Sequence, residues 1–266
     1  MIPRRMHGPG PDPSTMAAME LLLLSNSTNY GRRMLAHAEE AIVEVVGEAR
    51  VLFIPYALAD WDDYADRARA AFGAFGIETT SAHESDAPDR AILDAEVVMM
   101  GGGNTFRLLD CLYTLGVVDG LRDRVRAGAT RYLGASAGTN VACPTIRTTN
   151  DMPICLPPSF EALGLLPFQV NLHYLDEDPH STFMGESRAE RIEEFLEENQ
   201  CPVLALYEGS WLRVDGERAE VTGPARLFRR SVSEDYADGG DVSHLLGLNP
   251  VFDGGRRPER GARRSD

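Results

Sequence analysis

The chain has 266 residues, of which 43% are hydrophobic, and its formal net charge at pH 7 is −15. This length and apolar content can bury one substantial core, and an α/β fold of this size often forms a single domain. The acidic balance argues against nucleic acid or an anionic membrane as a partner, because both would be repelled, and it favours a small peptide or another small molecule as the substrate.

Both ends of the chain are predicted to be disordered tails. Residues 1–18 are interrupted by prolines and glycines, and Met19 directly precedes the first apolar run, so translation could also begin there. Residues 251–266 hold five arginines among glycines. A basic tail can touch nucleic acid, but this composition is more typical of a solvated segment. We expect one α/β domain over residues 19–250.

Between the tails, buried strand-like runs alternate with helical patterns. Strands are predicted over 20–25, 50–54, 77–82 and 96–100, with another leading into Ser136, and helices over 35–46, 105–112, 117–127 and from a cap at Asp60. This β-α-β order predicts a three-layer αβα sandwich around a mostly parallel central sheet. Active sites of such sheets lie at the carboxyl ends of the strands, so the glycine-rich turns that follow two of these strands are expected to face one crevice.

The run Gly134-Ala135-Ser136-Ala137-Gly138 lies where a short apolar segment meets a helix-compatible one. A sharp strand-to-helix turn requires small residues around its serine, and it exposes that serine as a nucleophile. The following helix directs its free N–H groups at the same point, which favours a developing oxyanion. The pentapeptide predicts a nucleophile elbow for acyl transfer, although plain strand-to-helix corners also use such residues.

Three consecutive glycines, Gly101, Gly102 and Gly103, follow the strand predicted over 96–100. A phosphate-binding loop is disfavoured, because neither Gly-Lys-Ser/Thr nor the GxGxxG spacing is present. A backbone without side chains can instead approach a substrate carbonyl, so we expect the N–H groups of Gly103 and Ala137 to form an oxyanion hole. A tight turn with positive φ is the alternative explanation.

A serine nucleophile needs a base within hydrogen-bond reach, and that base is usually oriented by a carboxylate. Of the six histidines, His173 is the strongest candidate, because it ends a short strand-like run beyond Ser136. His180 follows an acidic run and could suggest a metal site, but no regular ligand spacing supports one.

Cysteine usage and hydropathy bear on the location of the protein. The four cysteines, at positions 111, 143, 155 and 201, show no CxxC pair and no zinc-type spacing to histidine, which predicts reduced thiols. No apolar run approaches the ~18 residues of a membrane span, and residues 21–24 are too short for a signal-peptide core. We expect a cytoplasmic protein with no metal and no organic cofactor.

Seven short blocks occur in one order along the chain. They are Ile54-Pro55-Tyr56-Ala57, Gly102-Gly103-Asn104-Thr105, the Gly-Ala-Ser-Ala-Gly elbow, Thr148-Thr149-Asn150-Asp151-Met152-Pro153, Asn171-Leu172-His173, Gly185-Glu186-Ser187-Arg188 and Glu208-Gly209-Ser210-Trp211. Together they resemble the peptidase E family of α-aspartyl dipeptidases, serine peptidases related in fold to class I glutamine amidotransferases. The resemblance extends from Met19 to about Arg230.

The resemblance implies a role for each matching catalytic residue. Ser136 corresponds to the family's nucleophile and His173 to its general base. Asp151 is the preferred third member of the triad, with Glu208 as the competing candidate. From the residues alone neither carboxylate can be placed against His173, since Asp151 could form a turn and Glu208 could be an ordinary loop charge.

The family also implies a cleft for an N-terminal aspartate, with Asn104 and Arg188 as substrate-binding residues. Arg188 would clamp the β-carboxylate, since a guanidinium grips a carboxylate through two hydrogen bonds. Without the family, Arg188 reads as a solvated charge on a helix over 188–199. The acidic segment 174–184 departs from the expected pattern, because its charges would repel an aspartyl substrate and so weaken the preference for aspartate.

The implied activity is hydrolysis of Asp-Xaa dipeptides through an acyl-enzyme. A small peptide is the expected partner, without nucleic acid or membrane, and a homodimer is allowed. Two alternatives stay open at this point. One is a cyanophycinase-like peptidase that acts on β-linked Asp-Arg, and the other is a non-enzymatic binding protein on an amidotransferase-like scaffold.

Overall fold

The computed structural model describes residues 19–177, 180, 182 and 184–252. The tail predicted over 1–18 and residues 253–266 lie outside the described residues. The strands are β1 (Glu20–Leu24), β2 (Val51–Ile54), β3 (Thr79–Ser81), β4 (Val97–Met100), β5 (Arg131–Ala135), β6 (Gln169–Tyr174), β7 (Val203–Tyr207), β8 (Trp211–Asp215), β9 (Arg218–Thr222), β10 (Ala225–Arg229), β11 (Val232–Tyr236) and β12 (Gly240–Asp241). The α-helices are α1 (Glu39–Val46), α2 (Trp61–Gly73), α3 (Pro88–Asp94), α4 (Thr105–Thr114), α5 (Val118–Arg126), α6 (Ala137–Asn140) and α7 (Arg188–Glu198).

The larger sheet has the strand order β12-β9-β8-β1-β5-β4-β2-β3. Neighbouring strands from β1 to β3 in this order are parallel, whereas β8, β9 and β12 extend the sheet with antiparallel pairs. The predicted α/β class with a mostly parallel central sheet is confirmed. Because β5 lies between β1 and β4, the elbow that follows β5 and the three glycines that follow β4 meet at one edge of the sheet.

Strand β1 shows how the sheet is covered on both faces. Its leucines are fully buried, and they alternate between two clusters of apolar side chains. Leu22 and Leu24 pack with α1 and α2, whereas Leu21 and Leu23 pack with α4 and α5. A continuous run of buried apolar residues such as Leu21 to Leu24 is what a sheet with helices on both faces requires.

Most helices begin and end close to the predicted positions, with two differences. The segment predicted as a helix over 35–46 is divided into a 3-10 turn (Ala36–Ala38) and α1, because Ala38 leaves the helical conformation, with a φ of −119° and a ψ of 19°. Helix α3 was not predicted; it is seven residues long and begins at Pro88, so its periodicity is too short to stand out. The predicted cap of α2 is confirmed, since the Asp60 carboxylate accepts the Asp63 N–H at 3.1 Å.

A second, four-stranded sheet, with the order β11-β10-β7-β6, is an addition to the predicted architecture. Its strands β6 and β7 are parallel, and residues from both pack into the same core as α4 and α5. Helix α7 covers the other face through Ile192 and Leu196, and it begins with a capping box formed by Ser187 and Glu190. Strands β6 and β7 therefore end next to the elbow from a different sheet.

Two further findings concern thiols and hydropathy. All four cysteines are described, and each is a free thiol. In the described part of the chain, no helix has the length and apolar character needed to cross a membrane.

The division of the chain into one domain and two tails stays a prediction. Val251 and Phe252, at the start of the predicted tail, contact Gln200 and Arg147.

The glycines of the elbow are required by close backbone packing. A Cβ atom on Gly138 would overlap the carbonyl of Met100 at the end of β4, and a Cβ on Gly134 would lie 2.7 Å from the carbonyl of Gly138. These neighbours are backbone atoms and cannot rotate away. The turn therefore tolerates glycine alone at both positions.

We expect Gly138→Ala to lower the free energy of unfolding by roughly 1–3 kcal/mol, because the added methyl overpacks the contact between β4 and α6. Gly73→Ala is the matched control: Gly73 ends α2, an added Cβ there meets no atom within 4 Å, and alanine favours the helix by up to ~1 kcal/mol. Urea unfolding of both variants measures the difference. Equal stabilities would contradict the close packing of the elbow.

Candidate active site

Ser136 occupies the sharp turn between β5 and α6. Its φ is 50° and its ψ is −110°, a conformation that residues with a side chain rarely adopt. The turn is held by β1, whose Leu24 carbonyl accepts the Ser136 N–H at 3.1 Å and the Thr139 hydroxyl at 2.8 Å. The predicted nucleophile elbow is thus present as a strained turn supported by hydrogen bonds.

His173 lies beside this turn on β6. Its Nε2 atom is 2.9 Å from the Oγ atom of Ser136, which is the contact expected of a nucleophile and its base. His173 also has a positive φ, of 52°, and the pairing of β6 with β7 shifts register between Asn171 and Tyr174. Such a bulge re-aims a side chain, and here it accompanies an imidazole that faces the other sheet.

Glu208, directly after β7, supplies the carboxylate next to His173. Its Oε1 atom is 3.0 Å from Nδ1 of His173, and its side chain is 63% exposed. A carboxylate at Nδ1 holds the imidazole in the tautomer and orientation that leave Nε2 free for the serine. The structure therefore brings together Ser136, His173 and Glu208 in a continuous chain of hydrogen bonds.

The preference for Asp151 over Glu208 is corrected by this geometry. Asp151 accepts hydrogen bonds from both the backbone N–H and the hydroxyl of Thr105, the first residue of α4, at 2.8 and 2.5 Å. A carboxylate at this position satisfies free N–H groups of the helix and interacts favourably with its dipole. Asp151 is therefore placed at the start of a helix, away from the imidazole nitrogens.

The residues predicted to hold an oxyanion surround Ser136. Ala137 is the first residue of α6, so no carbonyl of that helix accepts its N–H. Gly103 has a φ of 136°, and a Cβ there would lie 2.6 Å from the carbonyl oxygen of Ala57. The backbone of Gly102 comes close to Ser136, since a Cβ on it would lie 3.2 Å from that of Ser136. Ala137 and Gly102 thus bring backbone close to the serine, and Gly103 lines the same pocket.

The two predicted substrate-binding residues, Asn104 and Arg188, differ in whether their side chains are already hydrogen-bonded within the protein. Asn104 caps α4: its Oδ1 accepts the Arg107 N–H at 3.1 Å and its Nδ2 donates to the Met152 carbonyl at 2.8 Å. A substrate contact of this side chain stays a prediction. Arg188 is the first residue of α7 and half-buried; burial, then the charge of Arg191, lower its pKa, and the nearby charge of Asp151 acts in the opposite direction.

Sequence reasoning missed the residues that position His173 and Glu208. The buried hydroxyl of Ser25 accepts the His173 N–H and donates to the carbonyl of Leu206, both at 2.9 Å. The side chain of Asn26 accepts the N–H of Gly209 at 2.7 Å, next to Glu208. The sequence signal that could have found them is their position: they form a polar pair directly after four consecutive leucines, at the end of the strand where active sites of such sheets lie.

The acidic segment after β6 is partly neutralised. Asp176 accepts hydrogen bonds from Tyr207 at 2.8 Å and from Arg226 at 2.6 Å, and Arg226 also contacts Tyr174 and Asp235. Because Asp176 is paired, its charge is less able to repel an aspartyl substrate than the sequence alone suggested. The same contacts join Tyr174 to Tyr207, the neighbours in sequence of His173 and Glu208.

A pocket of about 660 Å³ opens over these residues. Ser136, His173, Glu208 and the turn at 102–103 line it. Residues of the segment that follows β1 and of α2 also line it, Arg33 and Arg67 among them. The volume is typical of a small-ligand site. Among the residues that the structure describes, no group of three or more His, Cys, Asp or Glu side chains could hold a metal ion.

Comparison with known proteins agrees with this geometry. The sequence model of Peptidase family S51 matches residues 21–222. The chain is 54% identical over 243 residues to Peptidase E of Streptomyces coelicolor, covering 90% of this chain and 100% of that one. It is 43% identical over 236 residues to the probable alpha-aspartyl dipeptidase of Drosophila melanogaster, covering 86% and 98%.

A solved structure supports the fold independently. The crystal structure of a peptidase from an acI-B1 Actinobacterium superposes with a TM-score of 0.64 at 15% identity, covering 85% of this chain and 98% of that one. At this identity the likeness speaks for the fold alone. The family resemblance found in the sequence blocks is confirmed by the family match and by the two relatives, so the chain belongs to peptidase family S51 and is a serine peptidase.

Proposed function

We propose that this enzyme hydrolyses the peptide bond after an N-terminal aspartate in Asp-Xaa dipeptides. The observation that carries the proposal is the hydrogen-bonded series of Ser136, His173 and Glu208, with distances of 2.9 and 3.0 Å. The name of the S. coelicolor relative supports a peptidase, and that of the D. melanogaster relative supports a dipeptidase with an aspartyl substrate.

In the proposed mechanism, the Oγ atom of Ser136 attacks the carbonyl carbon of the aspartyl residue while Nε2 of His173 takes the hydroxyl proton. Glu208 keeps the imidazole oriented and stabilises the imidazolium that forms. The N–H groups of Gly103 and Ala137 donate to the oxyanion; losing one such donor typically lowers the rate about 10²–10³-fold.

The second half of the reaction reverses these proton transfers. The imidazolium gives its proton to the leaving amine, which departs as a free amino acid and leaves an aspartyl ester on Ser136. Water then enters, loses a proton to His173 and attacks the ester carbonyl. As the bond to Oγ breaks, His173 returns that proton to Ser136 and aspartate is released. No step in this sequence calls on a metal or an organic cofactor.

Arg188 is proposed as the clamp for the aspartyl side chain. Its guanidinium is half-buried at the start of α7, and burial of a charged donor strengthens a bond to a carboxylate relative to one in water. Asp151 is its nearby negative neighbour and is already occupied by Thr105. A half-buried guanidinium whose neighbouring carboxylate already binds other donors suits the recognition of a substrate carboxylate.

The alternatives raised by the sequence are not favoured. The names of the two relatives, Peptidase E and probable alpha-aspartyl dipeptidase, favour neither a cyanophycinase-like activity nor a non-enzymatic scaffold. We propose a small peptide as the partner and the cytoplasm as the location, in keeping with the acidic charge and the four free thiols. A homodimer stays a prediction.

The first test compares hydrolysis of Asp-Leu, Glu-Leu, Asn-Leu and β-Asp-Leu, with and without a chelator. We expect cleavage of Asp-Leu in preference to the other three, insensitive to chelator. Ser136→Ala should lower kcat by roughly 10⁴–10⁶-fold, because the nucleophile is removed while the fold is kept. Wild-type turnover by this variant, or preferred release of β-linked aspartate, would contradict the proposal.

The second test separates the two carboxylates. Glu208→Gln should lower kcat by about 10–10³-fold, less than is typical for a buried triad carboxylate, because the Glu208 side chain is largely exposed. Asp151→Asn should lower the melting temperature and leave kcat within a few-fold, because it weakens the cap of α4. Steady-state kinetics and thermal unfolding of both variants distinguish these roles. A larger loss of kcat in Asp151→Asn would return the orienting role to Asp151.

The third test concerns the clamp. Arg188→Gln should lower kcat/KM for Asp-Leu by about 10–100-fold, since a hydrogen bond between charged groups is lost, and should remove most of the preference over Asn-Leu. Arg191→Gln is the matched control, because Arg191 lies on the same helix and is half-exposed beside Glu186. Its kinetics should match the wild type. A preference that survives in Arg188→Gln would place the clamp elsewhere.

A further inference from the structure

The pocket beside Ser136 carries two cations that the proposed mechanism does not use. Arg33 follows β1 and Arg67 lies on α2, and both line the same 660 Å³ space as the nucleophile. The only carboxylate among the described lining residues is that of Glu208, which is hydrogen-bonded to His173. The pocket therefore holds two cations besides the groups around Ser136, in a chain whose net charge is −15.

Arg67 is held in place by its own helix. Its Nε atom is 2.9 Å from the carboxylate of Asp63, one turn earlier, and its guanidinium carbon lies 5.0 Å from the centre of the Tyr64 ring. These contacts engage Nε and one face of the group, whereas a guanidinium has further N–H donors at its end. Tyr64 is itself buried and packs against Phe53 of the sheet, so the platform under Arg67 is fixed.

The same lining has an apolar part. It is formed by Met34 and Leu58, together with Ala70 and Ala71 of α2. A pocket that combines apolar lining residues with two cations matches an amino acid that presents a hydrocarbon side chain and a carboxylate. This is the description of the leaving residue of a dipeptide.

The aspartyl end and the leaving end of the substrate need different binding sites. The acyl and leaving groups extend in different directions from the carbonyl that Ser136 attacks. Arg188, the proposed aspartate clamp, is not among the described lining residues of this pocket, and it is near enough to Asp151, which binds the start of α4, for that charge to raise its pKa. The pocket lined by Arg33 and Arg67 is then left for the other end.

We propose that Arg33 and Arg67 bind the C-terminal carboxylate of the leaving residue, and that this contact restricts the enzyme to dipeptides. The inference rests on the proposed function and deepens it. In a dipeptide the carboxylate stands on the residue that carries the scissile nitrogen. In a tripeptide it is displaced by one residue, up to ~3.6 Å, and an uncharged amide takes its place before the arginines.

The test is a thermodynamic cycle with Asp-Leu and Asp-Leu-amide, which differ only in the terminal charge. The enzymes are the wild type, Arg33→Gln, Arg67→Gln and the double variant. Arg32→Gln is the matched control, since Arg32 is an exposed neighbour outside the described lining. Hydrolysis of the amide reports in every variant that the fold and the catalytic residues are intact.

We expect the wild type to cleave Asp-Leu with a kcat/KM about 10–100-fold above that of Asp-Leu-amide, mostly through KM. The double variant should lose this preference and cleave Asp-Leu-amide within about threefold of the wild type. Each single variant should lose part of the preference, and Arg32→Gln should retain it.

Three results would overturn the inference. Equal cleavage of both substrates by the wild type would show that the carboxylate is not recognised, while the proposed function would stand. An equal loss on both substrates in the arginine variants, with Arg32→Gln unaffected, would place these arginines on the aspartyl end or in the catalytic machinery. Failure of the wild type to cleave either substrate would overturn the proposed function and this inference together.

Discussion

The hydroxyl of Ser25 joins the two sheets at the point where the catalytic groups meet. It accepts the backbone N–H of His173 and donates to the carbonyl of Leu206, while the preceding residue, Leu24, accepts the N–H of Ser136. The nucleophile belongs to the larger sheet and its base to the smaller one, so their separation depends on this strand end. Ser25 is fully buried, and an unpaired group there would cost about 1–3 kcal/mol.

The same hydrogen bonds stabilise the strained backbone conformations of Ser136 and His173. Ser136 and His173 are two of four non-glycine residues with positive φ in the described part of the chain. Such conformations cost of the order of 1–3 kcal/mol each and persist where neighbouring contacts determine them. Here the hydrogen bonds from the end of β1 reach both residues. The strain and its support together keep Oγ and Nε2 within hydrogen-bond distance before any substrate binds.

This arrangement explains which parts of the site could be predicted from the sequence. Ser136 was found because its turn is local: small residues, a strand before and a helix after are all contiguous. The main sheet was found for the same reason, through β-α-β alternation. Glu208 was not preferred over Asp151, because its contact with His173 is made between two parallel strands of the second sheet. No short sequence pattern predicted that sheet. Ser25 was missed because a buried serine after a strand carries no motif of its own.

The proposed substrate-binding cations are positive, although the net charge of the chain is negative. With 41 acidic and 26 basic residues, the surface field repels polyanions. A dipeptide with an N-terminal aspartate is small and carries two carboxylates, so it is recognised at short range, where contact with a guanidinium outweighs a field that salt screens within ~10 Å. Arg188 at one end and the Arg33–Arg67 pair at the other supply the cations in the proposed binding mode. Asp176 is already paired with Arg226 and adds little opposing charge. The acidic chain can then take an acidic substrate because the cations lie where its carboxylates would stand, and a longer peptide would match only one of the two ends.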